Sequence, residues 1–419
     1  MSPYRRRSPR IGSCLCALLL GLGSALAAHA GVVDTPSEDL EVSLITYGPG
    51  AIYWERFGHD AIQIRDRVSG ESVDFNYGVF DFEERGFMWN FARGLMHYMI
   101  DAERSDMDEQ DYIAEGRSVV AQRLALTAAQ AASLRAFLLW NLRPGNAVYN
   151  YDYLTNNCAT RVRDALNATL GGALRRVMVA RPAPMTYREQ IDRLMSAQPW
   201  LMLAMDFALG PSADRALNEW QESFLPFVLA SEVRRLRIPD GRGGSGSLVL
   251  SEHQIAANRL TPPPESPPNL DVPLGLAGLL LAGVMFASRR QLPALHVSLA
   301  TTYLIIAGVA GTLLLGAWTL TMHRAAWGNA NVLVFNPLAF AMLPSVWRTR
   351  HGAGGTQLAR ALVALQLGAA VLAVLLHVLP GTAQQNLPWL LFAIPVWLAV
   401  ADGLRAREAK VCRIELPVR

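Results

Sequence analysis

Tyr151-Asp152-Tyr153-Leu154-Thr155-Asn156-Asn157-Cys158-Ala159-Thr160-Arg161-Val162-Arg163-Asp164 is the stretch whose reading decides the first half of the chain. Thr155, Asn156 and Asn157 form turns and cap helices, and Ala159 to Leu170 has the composition of a helix. The pattern predicts a helix with Cys158 in its first turn. There the unpaired backbone N–H groups and the positive dipole end favour a thiolate. A thiolate is the species that attacks an acyl carbon. Free cysteines are also among the most buried residues, and this stretch alone leaves the two readings level.

Outward from Cys158, the 419 residues are strongly asymmetric. The chain is 51% hydrophobic and 17% charged, with the charges concentrated before residue 260 and long apolar runs after 270. A formal net charge of +3 is too small for a nucleic-acid binder. Cys14, Cys16, Cys158 and Cys412 offer no disulfide framework. Residues 1–30 read as a secretory signal: Arg5, Arg6, Arg7 and Arg10, then Ile11 to Leu26, then Ala28-His29-Ala30. Cleavage after Ala30 is expected, with an uncleaved anchor as the alternative. Ile11-Gly12-Ser13-Cys14 loosely resembles a lipobox, but most of the apolar run follows Cys14.

Residues 31–260 are expected to form an α+β exported domain. Leu40 to Tyr47 alternates like a strand and ends at Gly48-Pro49-Gly50. Phe57 to Arg65 and Ser72 to Gly78 read as a hairpin with its turn near Val68. That register places Asn76 beside His59. Phe80 to Ile100 is aromatic-rich, with His97 at helix-like spacing. Leu124 to Thr127 reads as a strand, Ala128 to Leu142 as a helix capped by Thr127, and Tyr187–Met195 and Ala213–Ala230 as helices. Gly241 to Ser247 is flexible, and His253 lies near a disordered-looking linker.

Residues 261–270 form a Pro-rich linker. Five apolar segments follow at roughly 271–288, 297–320, 331–347, 359–379 and 387–403, giving a five-helix transmembrane domain over 271–404. Arg289-Arg290, Arg348, Arg350 and His351, and the tail 405–419 (Arg405, Arg407, Lys410, Arg413) alternate with loops holding only Arg324. With residues 31–260 exported, all three basic segments fall on the cytoplasmic side. The expected location is therefore a bacterial inner membrane, with the N-terminal domain periplasmic and the C-terminus cytoplasmic.

Thiol chemistry needs an imidazole and a group to orient it. Cys158 is the only thiol available in the exported domain. His59, at the start of a strand with Asn76 beside it, is favoured over His97 and His253 as the base. Asp60 and Asp74 are other neighbours able to orient the ring. No cofactor or metal motif is present in the sequence.

Phe57 to Ile64, Asn76 to Phe82 and Asn156-Asn157-Cys158-Ala159-Thr160-Arg161 resemble the Lnb-type lipoprotein N-acyltransferase family. So do His323-Arg324, Asn329-Ala330-Asn331 and Asn336-Pro337. The resemblance implies a permuted papain- or NlpC-like periplasmic domain, with the Cys helix on an antiparallel sheet, joined to a five-span membrane domain. It implies that Cys158 takes an acyl chain from a phospholipid as a thioester and passes it to the amine of a diacylglyceryl lipoprotein. In that scheme His59 is the base, Asn76 its orienter, and Asn157, Tyr47 and Asp60 oxyanion or supporting groups. Arg161, His323, Asn329, Asn331 and Asn336 are substrate-binding candidates. Arg161, Arg163, Trp89, Phe91, Tyr98 and Trp220 are candidates to meet phosphate and acyl chain, although a solvated Arg face and an ordinary core are the plainer account. The alternatives are a membrane-anchored peptidase or amidase of the cell envelope, and a non-catalytic receptor.

Overall fold

Leu40, Val42 and Leu44 point to one face of their strand, and Ile45 and Tyr47 to the other, and both faces are buried. The strand therefore lies inside a sheet covered on both sides. The computed structural model describes residues 32, 34–239, 244–379 and 384–405. The expected signal at 1–30 and tail residues 406–419 lie outside the described residues. The chain divides into two compact units, one of Met1–Met202 with Arg215–Pro267, the other of Leu203–Asp214 with Pro268–Arg419.

In the first unit the strands are β1 (Leu40–Tyr47), β2 (His59–Asp66), β3 (Ser72–Val79), β4 (His97–Arg104), β5 (Val119–Leu124), β6 (Val148–Asn150), the short pair β7 (Arg237–Pro239) and β8 (Ser245–Ser247), and β9 (Val249–Ala256). Seven form one antiparallel sheet in the order β6-β4-β3-β2-β1-β5-β9. The helices Ala128–Asn141, Cys158–Thr169 and Pro226–Arg235 bury apolar residues against one face, where Leu44, Ile62, Ile64 and Phe75 meet Leu134, Val162, Leu166 and Leu229. Against the other face the helix Ser105–Ala114 sets Tyr112 among Ile45, Tyr47, Ala61 and Val119.

Thr127 caps its helix as expected, in a reciprocal box with Gln130. Several local expectations are corrected. The strand expected at 124–127 lies earlier, at Val119–Leu124. His97 opens β4, and His253 is paired within β9. The long helix expected over 213–230 is divided into Pro211–Asp214, Glu219–Glu222 and Pro226–Arg235. Pro226, which cannot donate to an earlier carbonyl, starts the last of these.

The second unit is helical. Among the described residues four segments are long and apolar enough to cross a membrane: Asp271–Gln291, Pro293–Leu320, Ala330–Thr349 and Gln357–Leu376. The third is a 3-10 turn, Ala330–Leu333, followed after Asn336-Pro337 by the helix Leu338–Thr349. The fifth expected span is a helix, Leu387–Gly403, but its 17 residues rise only about 26 Å, short of the roughly 30 Å of a hydrocarbon core. Leu203–Asp214 belongs to this unit although it precedes the linker by more than forty residues.

Candidate active site

Asn157 starts the Cys158–Thr169 helix. Its Oδ1 accepts from the Thr160 N–H at 2.9 Å, and the Asn157 N–H donates to Thr160 Oγ1 at 2.7 Å. Its amide nitrogen donates to the carbonyls of Tyr153 and Phe224 at 3.0 and 2.8 Å. The side chain is engaged in holding the helix start. A carboxamide this fully paired and buried has no donor left for a substrate.

Cys158 follows as the first helical residue, half-buried and free. The backbone N–H groups of Asp60, Ala159 and Cys158 hydrogen-bond its sulfur and favour the thiolate, while loss of water and the Asp60 carboxyl oppose it. Burial dominates and pushes the thiol up to about 12, against the lowering expected from the helix terminus alone. The helix end orients the sulfur; it does not ionise it at rest.

His59 is the first residue of β2, immediately before Asp60. Thiol and imidazole thus reach the same end of β2, although the Cys158 helix packs on the Ile62 and Ile64 face and His59 shares the opposite face with Ala61. His59 is half-buried, stacked against Tyr47 and Tyr112 at ring separations of 5.9 and 6.0 Å. Burial lowers its pKa to about 4, with the Arg117 guanidinium adding to the effect. The ring is neutral near pH 7.

A neutral imidazole has one N–H, and its neighbours decide where that proton sits. His59 Nε2 lies 2.9 Å from Asn76 Oδ1. The Asn76 amide nitrogen donates to Asp108 at 3.1 Å, which turns Oδ1 toward the ring. His59 Nε2 is therefore the donor, and Nδ1 is left as the base. The register differs slightly from expectation, since Asn76 pairs with Ala61 and meets His59 diagonally.

Behind Asn76 lies a buried polar network that the sequence reading missed. Asp108 accepts from Tyr47 at 2.8 Å, and Asp74 accepts from the same hydroxyl at 3.0 Å. Both carboxyls are raised chiefly by burial, Asp108 to about 7 and Asp74 to about 6. The Tyr47 hydroxyl is engaged with these two acids. Asp60 accepts from Thr46 at 2.7 Å, and at the sulfur its carboxyl opposes the thiolate while its backbone N–H favours it. Tyr112 and Asp108 sit on a polar-looking helix, and only their i, i+4 spacing hinted that they share a face.

The substrate candidates scatter. Arg161, one turn after Cys158, lies over the Tyr149 ring at 4.2 Å, and its Nε is buried without a hydrogen-bond partner. In the second unit Asn329 donates to the carbonyls of Phe207 and Leu209 at 2.9 and 3.1 Å, and Asn331 to Phe207 at 2.9 Å. Their carbonyl oxygens accept from Gln384 and Asn386. Asn336 bonds Gln366. These three amides tie backbone and side chains within their unit, and amides already paired and buried, as Asn329 and Asn331 are, do not exchange partners cheaply. His323 is half-buried at the start of the turn Arg324–Ala326. Among the described residues no three His, Cys, Asp or Glu side chains cluster as a metal site.

Residues 33–193 match the family model of the Lnb N-terminal periplasmic domain, a span that takes in β1 to β6 and the Cys158 helix. No curated protein and no solved structure matches the chain. Residues 33–193 are thus similar to the Lnb N-terminal periplasmic domain, which is consistent with a Lnb-type family protein.

Proposed function

We propose that the chain is a membrane-bound acyltransferase that moves a phospholipid acyl chain through a Cys158 thioester to the N-terminal amine of a diacylglyceryl lipoprotein. The observation that supports this reading is a helix-start thiol and an imidazole, its Nε2–H held by Asn76, at the same end of β2. Because both groups are neutral at rest, the attack is general-base assisted. As the sulfur bonds the ester carbon, its proton passes to His59 Nδ1. The oxyanion lies near the backbone N–H groups of Cys158 and Asp60. Collapse of the tetrahedral adduct expels the lysophospholipid alkoxide, which takes the proton from His59. The lipoprotein amine then attacks the thioester, gives a proton to His59, and leaves as the amide while Cys158 regains its hydrogen. Arg161 is the cation at hand for the donor's phosphate.

The reaction requires no nucleotide, since a thioester is activated toward amines. The proposed location is the inner membrane, with the catalytic domain periplasmic, the signal removed, and the C-terminus cytoplasmic. The test supplies purified protein with a phospholipid and a synthetic diacylglyceryl-cysteine peptide bearing a free amine. N-acylated peptide and lysophospholipid in equal amounts are expected. Cleavage of a cell-wall stem peptide without acyl transfer would support an envelope peptidase instead.

A further inference from the structure

A chain of aromatic rings leads away from Cys158 across the first unit. Its near end is at Gly78, where a Cβ would stand 3.5 Å from Cys158 Cβ and 3.7 Å from the Tyr151 ring. Tyr151 lies 4.3 Å from Tyr98, Tyr98 4.6 Å from Phe80, and Phe80 5.6 Å from Phe87, by ring centres. Phe87 is buried and pins the short helix Phe87–Ala92 to this cluster. The same anchoring turns Met88 and Trp89 outward, 70% and 68% exposed, beside Phe82 at 49%. Three large apolar side chains held out by a packed base form a surface that water alone does not justify.

We propose that this surface seats in the lipid bilayer and that the aromatic chain behind it receives the acyl chain of the donor beside Cys158. The chain itself points to lipid as the occupant. It crosses between the two units three times, after Met202, Asp214 and Pro267. The first apolar helix begins at Asp271, so the last crossing allows only about 14 Å of extended backbone. Pro267 is thereby tethered by the backbone to the start of an apolar helix. Trp, Phe and Met are the side chains that lodge at the boundary of headgroups and acyl chains. The acyl-chain part rests on the acyl-transfer reading; the seating in lipid stands apart from it.

The test uses the full chain in phospholipid nanodiscs, with Cys14, Cys16 and Cys412 replaced and Cys158→Ala. A fluorophore is placed at Met88→Cys or, as control, at Val68→Cys, which is 78% exposed in the β2–β3 turn. Doxyl-labelled phospholipid is expected to quench the label at 88 and spare it at 68. No quenching at 88, or equal quenching at both, overturns the docking surface. In the chain with Cys158 intact, Trp89→Asp is expected to lower the ratio of long-chain phospholipid to short-chain soluble ester acylation by about tenfold. An unchanged ratio overturns the acyl-chain path. If neither substrate acylates the unaltered chain, the acyl-transfer reading and the path fall together, and the quenching still decides the surface.

Discussion

At the scale of single residues, Cys158 and His59 hold opposite distortions with one cause. Burial raises the thiol to about 12 and lowers the imidazole to about 4, so the uncharged pair is the resting state near pH 7. A pre-formed thiolate–imidazolium pair would give alkylation a plateau once the low thiol pKa was passed. Here the thiolate fraction grows with pH all the way toward 12, so iodoacetamide reaction at Cys158 should climb from pH 6 to 10 without a plateau. Mass spectrometry of the alkylated chain measures it. Asp108 carries a second prediction. Its ionisation near 7 strengthens the bond from Asn76 and so fixes Oδ1 against His59. Acyl transfer should rise through pH 7, and Asp108→Asn should lose that limb and about tenfold in rate, the size of one charge-assisted hydrogen bond. Cys158, His59 and Asn76 were legible from residue type and strand spacing. Asp108 was not, because its partners come from two separate strands, β1 and β3, and its own helix reads as solvent-facing.

At the scale of elements, two devices place the sulfur. The reciprocal bonds of Asn157 and Thr160 hold the start of its helix, and the bulge after Tyr77 clears room beside it. Gly78 has φ +90°, where an L side chain is strained, and any Cβ there faces Cys158. Gly78→Ala should therefore destabilise the first unit by about 1–2 kcal/mol, seen as a lower denaturant midpoint with unchanged slope. Asn157→Ala removes the cap and strands the Phe224 carbonyl, with an expected loss of about 2 kcal/mol or more. The hairpin, the Thr127 cap and the Cys158 helix could be read from turn chemistry and periodicity. The bulge could not, since it arises where β3 changes partner residues on β4, a long-range pairing that local pattern does not encode.

At the scale of the whole molecule, the apolar segments and the change of composition near 260 were plain in the sequence. The membership of Leu203–Asp214 in the second unit was not, because its partners Asn329, Asn331 and Gln384 lie more than a hundred residues on. Asn329 and Asn331, expected as substrate contacts, donate to carbonyls of that segment. Asn329→Ala should take one of two side-chain donors from each of the Phe207 and Leu209 carbonyls, costing roughly 1–2 kcal/mol and opening the 203–214 segment to limited proteolysis. The central claim is that Cys158 carries the acyl group. Its most direct measurement is incubation of the purified full chain with a radiolabelled long-chain phospholipid. A hydroxylamine-sensitive label on Cys158 is predicted, absent from Cys158→Ala and reduced at least about a hundredfold in rate by His59→Ala. A label that persists in Cys158→Ala, or none on the unaltered chain, would contradict it.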